Sequence, residues 1–293
     1  MPSRRQPLVR AFTDPLRVVL LLLAALVGGC ASVAPATGWE RRLQGDAVVL
    51  LGEVHDNAEQ HRLRLEALQR AFAAGWRPAL VMEQFDRERQ PDIDRARRER
   101  PGDAQHVIDR AAAAVGRPGG GWNWSFYRPY VALALRHDVP LVAANLSGAD
   151  ASRIVRDGYA AVFDAAAMAA LGLDRPLPAE WQAAQAREID AGHCHLLPPD
   201  LSPRMVRAQF GRDAVMAGAL RRHAERGAVL LAGNGHARRD LGVPRWLDLA
   251  PGRVLSVGYL EVDDDSTPES AFDAVLRSPA PARDDPCAAF RRR

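Results

Sequence analysis

Two glycine turns that each deliver a histidine, Gly52-Glu53-Val54-His55 and Gly233-Asn234-Gly235-His236, are the residues best suited to chemistry. Glu83 and Asn145 stand just beyond two further apolar runs. The set comprises two carboxylates (Glu53, Glu83), two imidazoles (His55, His236) and two amides (Asn145, Asn234). Such a collection is costly to bury unpaired, so its gathering at one place would mark a site. Glu53, His55 and His236 offer nitrogen and oxygen donors that suit a divalent metal such as Zn, Mn or Co. With Glu83 as general base, that arrangement would be a metal-dependent hydrolase. Taken singly, each residue could instead cap a helix or satisfy its own loop.

The elements that must position them are short apolar runs. Ala47–Leu51, Ala79–Met82, Leu141–Ala144, Ala228–Ala232 and Val254–Val257 have the length and composition of buried strands. A sixth is possible at Phe272–Leu276. Between the first two lies Asn57–Ala74, with Leu63, Leu65, Leu68 and Phe72 at helical spacing, Asn57 as N-cap and Gly75 as stop. Phe126–His137 predicts another helix. Strand–helix–strand alternation predicts an α/β fold with a mostly parallel sheet flanked by helices. A parallel sheet would bring Glu53, His55, Glu83, Asn145 and His236 to one crevice at its carboxyl edge. Helical stretches near 86–121 and 149–226 exceed simple crossovers and predict a smaller helical subdomain.

The helix expected over Pro203–Arg226 places Gln209, Arg212, Asp213 and Met216 on one face. Arg212 and Asp213 would either support the site histidines or form a buried structural pair. Trp122 to Tyr130 holds five of the chain's 18 aromatic residues. They could wall a planar ligand or pack in the core; the preceding Gly119-Gly120-Gly121 favours exposure.

The first 29 residues read as a lipoprotein signal peptide. Arg4, Arg5, Arg10 and Arg17 precede a ten-residue apolar run, Val18–Val27, then Gly28-Gly29 and Cys30. That run is about half of the roughly 20 residues that span a bilayer. Cys30 is the expected lipidation site, residues 30–38 a tether, and 39–293 the folded domain. Loss of residues 1–29 removes four arginines and Asp14, so 39 basic and 36 acidic side chains become 35 of each. A neutral mature chain argues against nucleic acid as a partner.

Several runs together resemble the ChaN-like haem-binding uptake lipoproteins: Leu51–Asn57, Val81–Phe85, Trp122–Pro129, Ala143–Leu146, Gln209–Met216 and Gly233–Pro244. The wider superfamily holds erythromycin esterases and the TraB and Tiki proteins. The resemblance implies a haem-binding protein of the outer membrane, facing the periplasm and acting in haem or iron uptake, rather than an enzyme. A haem receptor is an implied partner, and a homodimer an implied assembly. Haem iron in that family is held by a tyrosine oxygen. The resemblance makes Tyr127 the first candidate here and Tyr130 the second. Arg128, Arg238 and Arg239 are candidates for the propionates, with His55, Asn145, Asn234 and His236 lining the cofactor site. His195 departs from the family pattern, where glycine is expected.

Of three cysteines, lipidation of Cys30 leaves an even pair for an oxidising compartment. A Cys194–Cys287 disulfide is expected. The rival role for Cys194 is a metal ligand between His193 and His195.

Overall fold

The computed structural model describes residues 38–43, 45, 47–112, 121–250, 252–285 and 287–288. The expected signal peptide, Cys30 and most of the tether lie outside them. Six strands form one parallel sheet: β1 (Val48–Leu51), β2 (Ala79–Asp86), β3 (Leu141–Asn145), β4 (Ala228–Leu231), β5 (Val254–Glu261) and β6 (Ala274–Ser278). Their spatial order is β3-β2-β4-β1-β5-β6. Every apolar run read as a strand is one. β1, between β4 and β5, pairs Val48 with both Ala228 and Val254.

Period-two alternation divides the core. Val48 and Leu50 face one helical layer, Val49 and Leu51 the other. The second layer holds α1 (Ala58–Ala73), α2 (Gln90–Glu99), α3 (Ala104–Ala111) and α4 (Trp124–Arg136). The first holds α5 (Gly148–Asp157), α6 (Ala165–Leu171), α7 (Ala179–Gly192) and α8 (Ser202–Arg221). α6 ends where Gly172 takes a left-handed φ of 74°, and α7 and α8 are separated by the turn at His193–Leu201. A four-residue turn of helix, α9 (Asn234–Ala237), follows β4. Among the described residues no helix is long and apolar enough to cross a membrane.

Asn57 caps α1 by accepting from the Gln60 amide. Its Nδ2 donates to Glu261 and to the Pro279 carbonyl, so the cap also binds the C-terminal segment. That segment reaches further. Arg283 pairs with Asp56 at 2.9 Å and with Glu261 at 2.7 Å, and Cys287 is bridged to Cys194. The Cα atoms of the bridge are 5.7 Å apart, as a disulfide requires. Cys194 is therefore no metal ligand.

Two boundaries differ from expectation. Glu83 lies inside β2, because the strand runs on to Asp86. Pairing with β3 shifts between Met82 and Asp86, so Glu83 lies at an irregularity of the ladder. α4 begins at Trp124, with Asn123 accepting from Ser125, so most of the aromatic run is helix.

Candidate functional site

Because β2, β4 and β1 are parallel neighbours, their carboxyl ends converge. Gly52 leaves β1 and Glu53 follows, with its side chain at zero exposure. Both Glu53 oxygens are satisfied. Oε1 accepts from the Tyr127 hydroxyl at 2.5 Å and from His55 Nδ1 at 2.7 Å; Oε2 takes a close ion pair from Arg64. Arg64 is fully buried on α1 and also donates to the Leu51 carbonyl at 3.0 Å. His61, one turn earlier, accepts from Arg64 at Nδ1 and donates from Nε2 to the His55 carbonyl. Burial, ahead of every other influence, lowers its pKa to about 4 and keeps it neutral, which that pair of bonds requires. Gln60 completes the clasp by accepting from the Val54 amide at 2.7 Å.

The second turn is as tightly made. Asn234 uses both ends of its amide on the Tyr259 backbone, donating at 2.6 Å and accepting at 3.1 Å. Asn234 thereby ties α9 to β5, and it is not the free cleft amide that its sequence position predicts. Gly52 must lack a side chain, since a Cβ would collide with that amide. At Gly233 a Cβ would sit 3.0 Å from the His55 ring, so the two turns approach each other across the β4–β1 edge.

Behind His55 lies a charged triad. His236 donates from Nδ1 to Asp213 at 2.5 Å and approaches Glu83 with Nε2 at 3.4 Å. Burial opposes the imidazolium, but the Glu83 and Asp213 carboxylates outweigh it and lift its pKa to about 10. Burial likewise opposes the Glu83 carboxylate, yet His236, His55 and the Gly233 amide hold its carboxyl at about 2. Asp213 moves the other way, up to about 6. Its burial dominates, Glu83 repels it, and its Oδ2 has no hydrogen-bond partner. Of the two sequence readings of Arg212 and Asp213, Asp213 does hold a site histidine. Arg212 instead donates to Asn145 at 2.5 Å and to the Leu146 carbonyl.

These shifts make stability depend on pH. His236 binds its proton more tightly folded than unfolded, so its contribution is complete below about pH 6.5 and is lost as pH rises through about 10. Glu83, held low, contributes above about 4.5 and fails as pH falls toward 2. Asp213, held high, contributes only at acid pH and fades through about 6. Between pH 7 and 9.5 the His236 contribution therefore governs, and stability is expected to fall by an amount on the order of a few kcal/mol. Urea unfolding at both pH values checks this; a midpoint that stays level or rises contradicts the charged triad.

The crevice thus gathers Glu53, His55, Glu83 and His236, with Asn145 one strand away. It does not assemble the metal set. Among the described residues no group of three or more His, Cys, Asp or Glu side chains is placed to hold a metal. Glu53 is neutralised by Arg64, and both His236 nitrogens face carboxylates. The tyrosines depart from expectation too. Tyr127 is fully buried with its hydroxyl on Glu53, and Tyr130 is fully buried with its hydroxyl on the His61 carbonyl at 2.6 Å. Burial raises both phenols well above their usual range, so neither presents a phenolate. Arg238 is buried against Glu188 and Asp240, and Arg239 pairs with Asp273. Both are committed elsewhere, which leaves exposed Arg128 as the unengaged cation of the three among the described residues.

What remains open is one wall of the crevice. The His55 side chain is 48% exposed, and Trp122 meets its ring edge-on at 4.7 Å. Phe126 is half-buried and stacked on His61 at 4.6 Å, and the half-buried Trp124 packs against Phe85 at 4.9 Å. A separate open groove of about 470 Å³ lies at the amino end of β3, where Arg97 is already paired with Asp138. It contains none of these residues.

The family model described as "Haem-binding uptake, Tiki superfamily, ChaN" matches residues 39–247. Among solved structures, one described as cofacial haem binding to ChaN of Campylobacter jejuni is 18% identical with a TM-score of 0.63. The likeness covers 80% of this chain and 89% of that one, and it shows a shared fold. An erythromycin esterase in its open conformation is 13% identical with a TM-score of 0.40, over 79% and 76% of the two chains. No curated protein matches the sequence.

Proposed function

The chain belongs to the haem-binding uptake family of the Tiki superfamily, ChaN, and we propose that it binds haem for iron uptake at the bacterial cell envelope. The family match over residues 39–247 carries this reading, and the shared fold agrees with it. The crevice wall fits the cofactor on its own terms. A half-exposed imidazole stands against Trp122, and the half-buried Trp124 and Phe126 follow in the same segment; such rings suit a flat macrocycle. Arg128 shares a helix face with Trp124 and is exposed, as a propionate partner must be. When bound, haem would supply an iron that accepts a donor atom and propionates that accept hydrogen bonds. The side chains of this chain orient the ring and supply the donor.

The same reading extends to placement. The arginine-rich start, the ten apolar residues and Cys30 support a lipid anchor, with the domain facing the periplasm from the outer membrane. A homodimer and an outer-membrane haem receptor are the proposed partners. The disulfide suits that oxidising compartment.

A hemin titration of the purified domain tests the function. Saturable binding with a shifted Soret band is expected. A spectrum that stays that of free hemin, at protein concentrations well above the hemin, contradicts haem binding.

A further inference from the structure

We infer that the atom this chain offers to haem iron is the Nε2 of His55, not a tyrosine oxygen. The inference rests on the haem-binding reading and deepens it. All four tyrosines of the chain lie in described residues, and each hydroxyl is withdrawn from solvent. Tyr127 is held by Glu53 and Tyr130 by the His61 carbonyl. The Tyr159 and Tyr259 hydroxyls are buried with no hydrogen-bond partner. Turning Tyr127 outward would strip Glu53 of a donor and empty a fully buried ring site between Trp122, Trp124 and His61.

The histidines divide just as sharply. His61 is buried with both ring nitrogens engaged, and His236 lies between two carboxylates. His195 is turned to Asp190, His193 to the Ile189 carbonyl and His106 to Glu99. His137 packs against Phe72 at the far end of α4, and His223 lines the groove at the amino end of β3. His55 alone stands in the crevice half-exposed, and among the described residues its Nε2 has no hydrogen-bond partner.

Its surroundings prepare that nitrogen as a donor. The Nδ1 proton goes to Glu53 Oε1, which fixes the tautomer and leaves the Nε2 lone pair free. A carboxylate behind an imidazole sets the ring's orientation toward a metal. Glu53 cannot drift, since Arg64 and Tyr127 hold it from two other directions. Trp122 fixes one edge of the ring, and the bare Gly233 lets the other approach the backbone. Tyr127 becomes a positioning residue, two bonds removed from the iron.

Hemin titrations of the full domain, followed by absorbance and electron paramagnetic resonance, test this. The wild type is expected to show the signature of imidazole ligation and no phenolate charge-transfer band. His55→Ala, at a half-exposed position where folding should survive, is expected to lose about tenfold or more in hemin affinity. Added imidazole should restore the wild-type spectrum. Tyr127→Phe and Tyr130→Phe are expected to keep the imidazole signature. A phenolate band in the wild type that either Phe variant abolishes would overturn the assignment. So would a His55→Ala protein, folded by circular dichroism, with unchanged affinity and spectrum. A wild type that takes up no hemin refutes the haem-binding reading itself, a result distinct from either.

Discussion

Replacing Arg64 with alanine is expected to cost about 3–5 kcal/mol of stability, because it strands the Glu53 carboxylate without its counter-ion. Both side chains have zero exposure, so no water can replace the guanidinium. The same change removes a donor from the Leu51 carbonyl at the end of β1 and from His61. At about 2–4 °C per kcal/mol for a domain of this size, the melting temperature should fall by roughly 6–20 °C. Adding Glu53→Gln to the variant should recover part of the loss, since an amide tolerates burial better than an orphaned charge. A single variant within about 1 kcal/mol of wild type would show that Glu53 is protonated in the native protein, and not ion-paired.

Removing the Cys194–Cys287 bridge ranks next. It closes a loop with a sequence separation of 93, for which chain-entropy estimates reach about 4–5 kcal/mol and measured losses run from about 2 to 5. The Arg283 ion pairs with Asp56 and Glu261 hold the same segment without covalent help and will soften the effect. Thermal unfolding of a Cys194→Ser, Cys287→Ser variant is therefore expected to drop clearly below wild type. Superimposable curves would mean that the ion pairs and the Asn57 bond to the Pro279 carbonyl secure the tail alone.

The sheet is legible because buried parallel strands leave continuous apolar runs, and β1 to β5 are of that kind, whereas β6 is half-buried with Arg277 exposed and leaves a weaker signal. The crevice is legible for a related reason: in such a sheet, the residues just beyond each run arrive at one edge. The polar support is hidden from the pattern. On α1 the spacing of Leu63, Leu65, Leu68 and Phe72 stands out, yet Leu63 and Leu65 are only half-buried. The buried stripe runs through Gln60, His61, Arg64, Ala67, Leu68, Ala71 and Phe72. Its first turns are polar because they face the Glu53 turn and not the core, and a hydrophobic template cannot register that. Continuing the Ala71–Ala67–Arg64–Gln60 row backwards would find them. On α4 the signal is present and outweighed. Tyr127, Tyr130, Val131 and Ala134 stand at i, i+3, i+4 and i+7, the buried stripe of a helix. The cluster of aromatics draws notice to their number, whereas their period decides which of them face inward.

The bridge from Cys194 to Cys287 also changes how damage to this protein would look. It encloses α8, β4, β5 and β6, and with them His236. Within that span Arg253 is exposed just ahead of β5, and the stretch from Val262 to Ser270 is mostly exposed. An arginine-specific protease cutting after Arg253 would leave two pieces still joined through sulfur. The nicked chain would run as a single band on a non-reducing gel and separate only once thiol is added. Digestion scored without reductant would count cleaved molecules as intact.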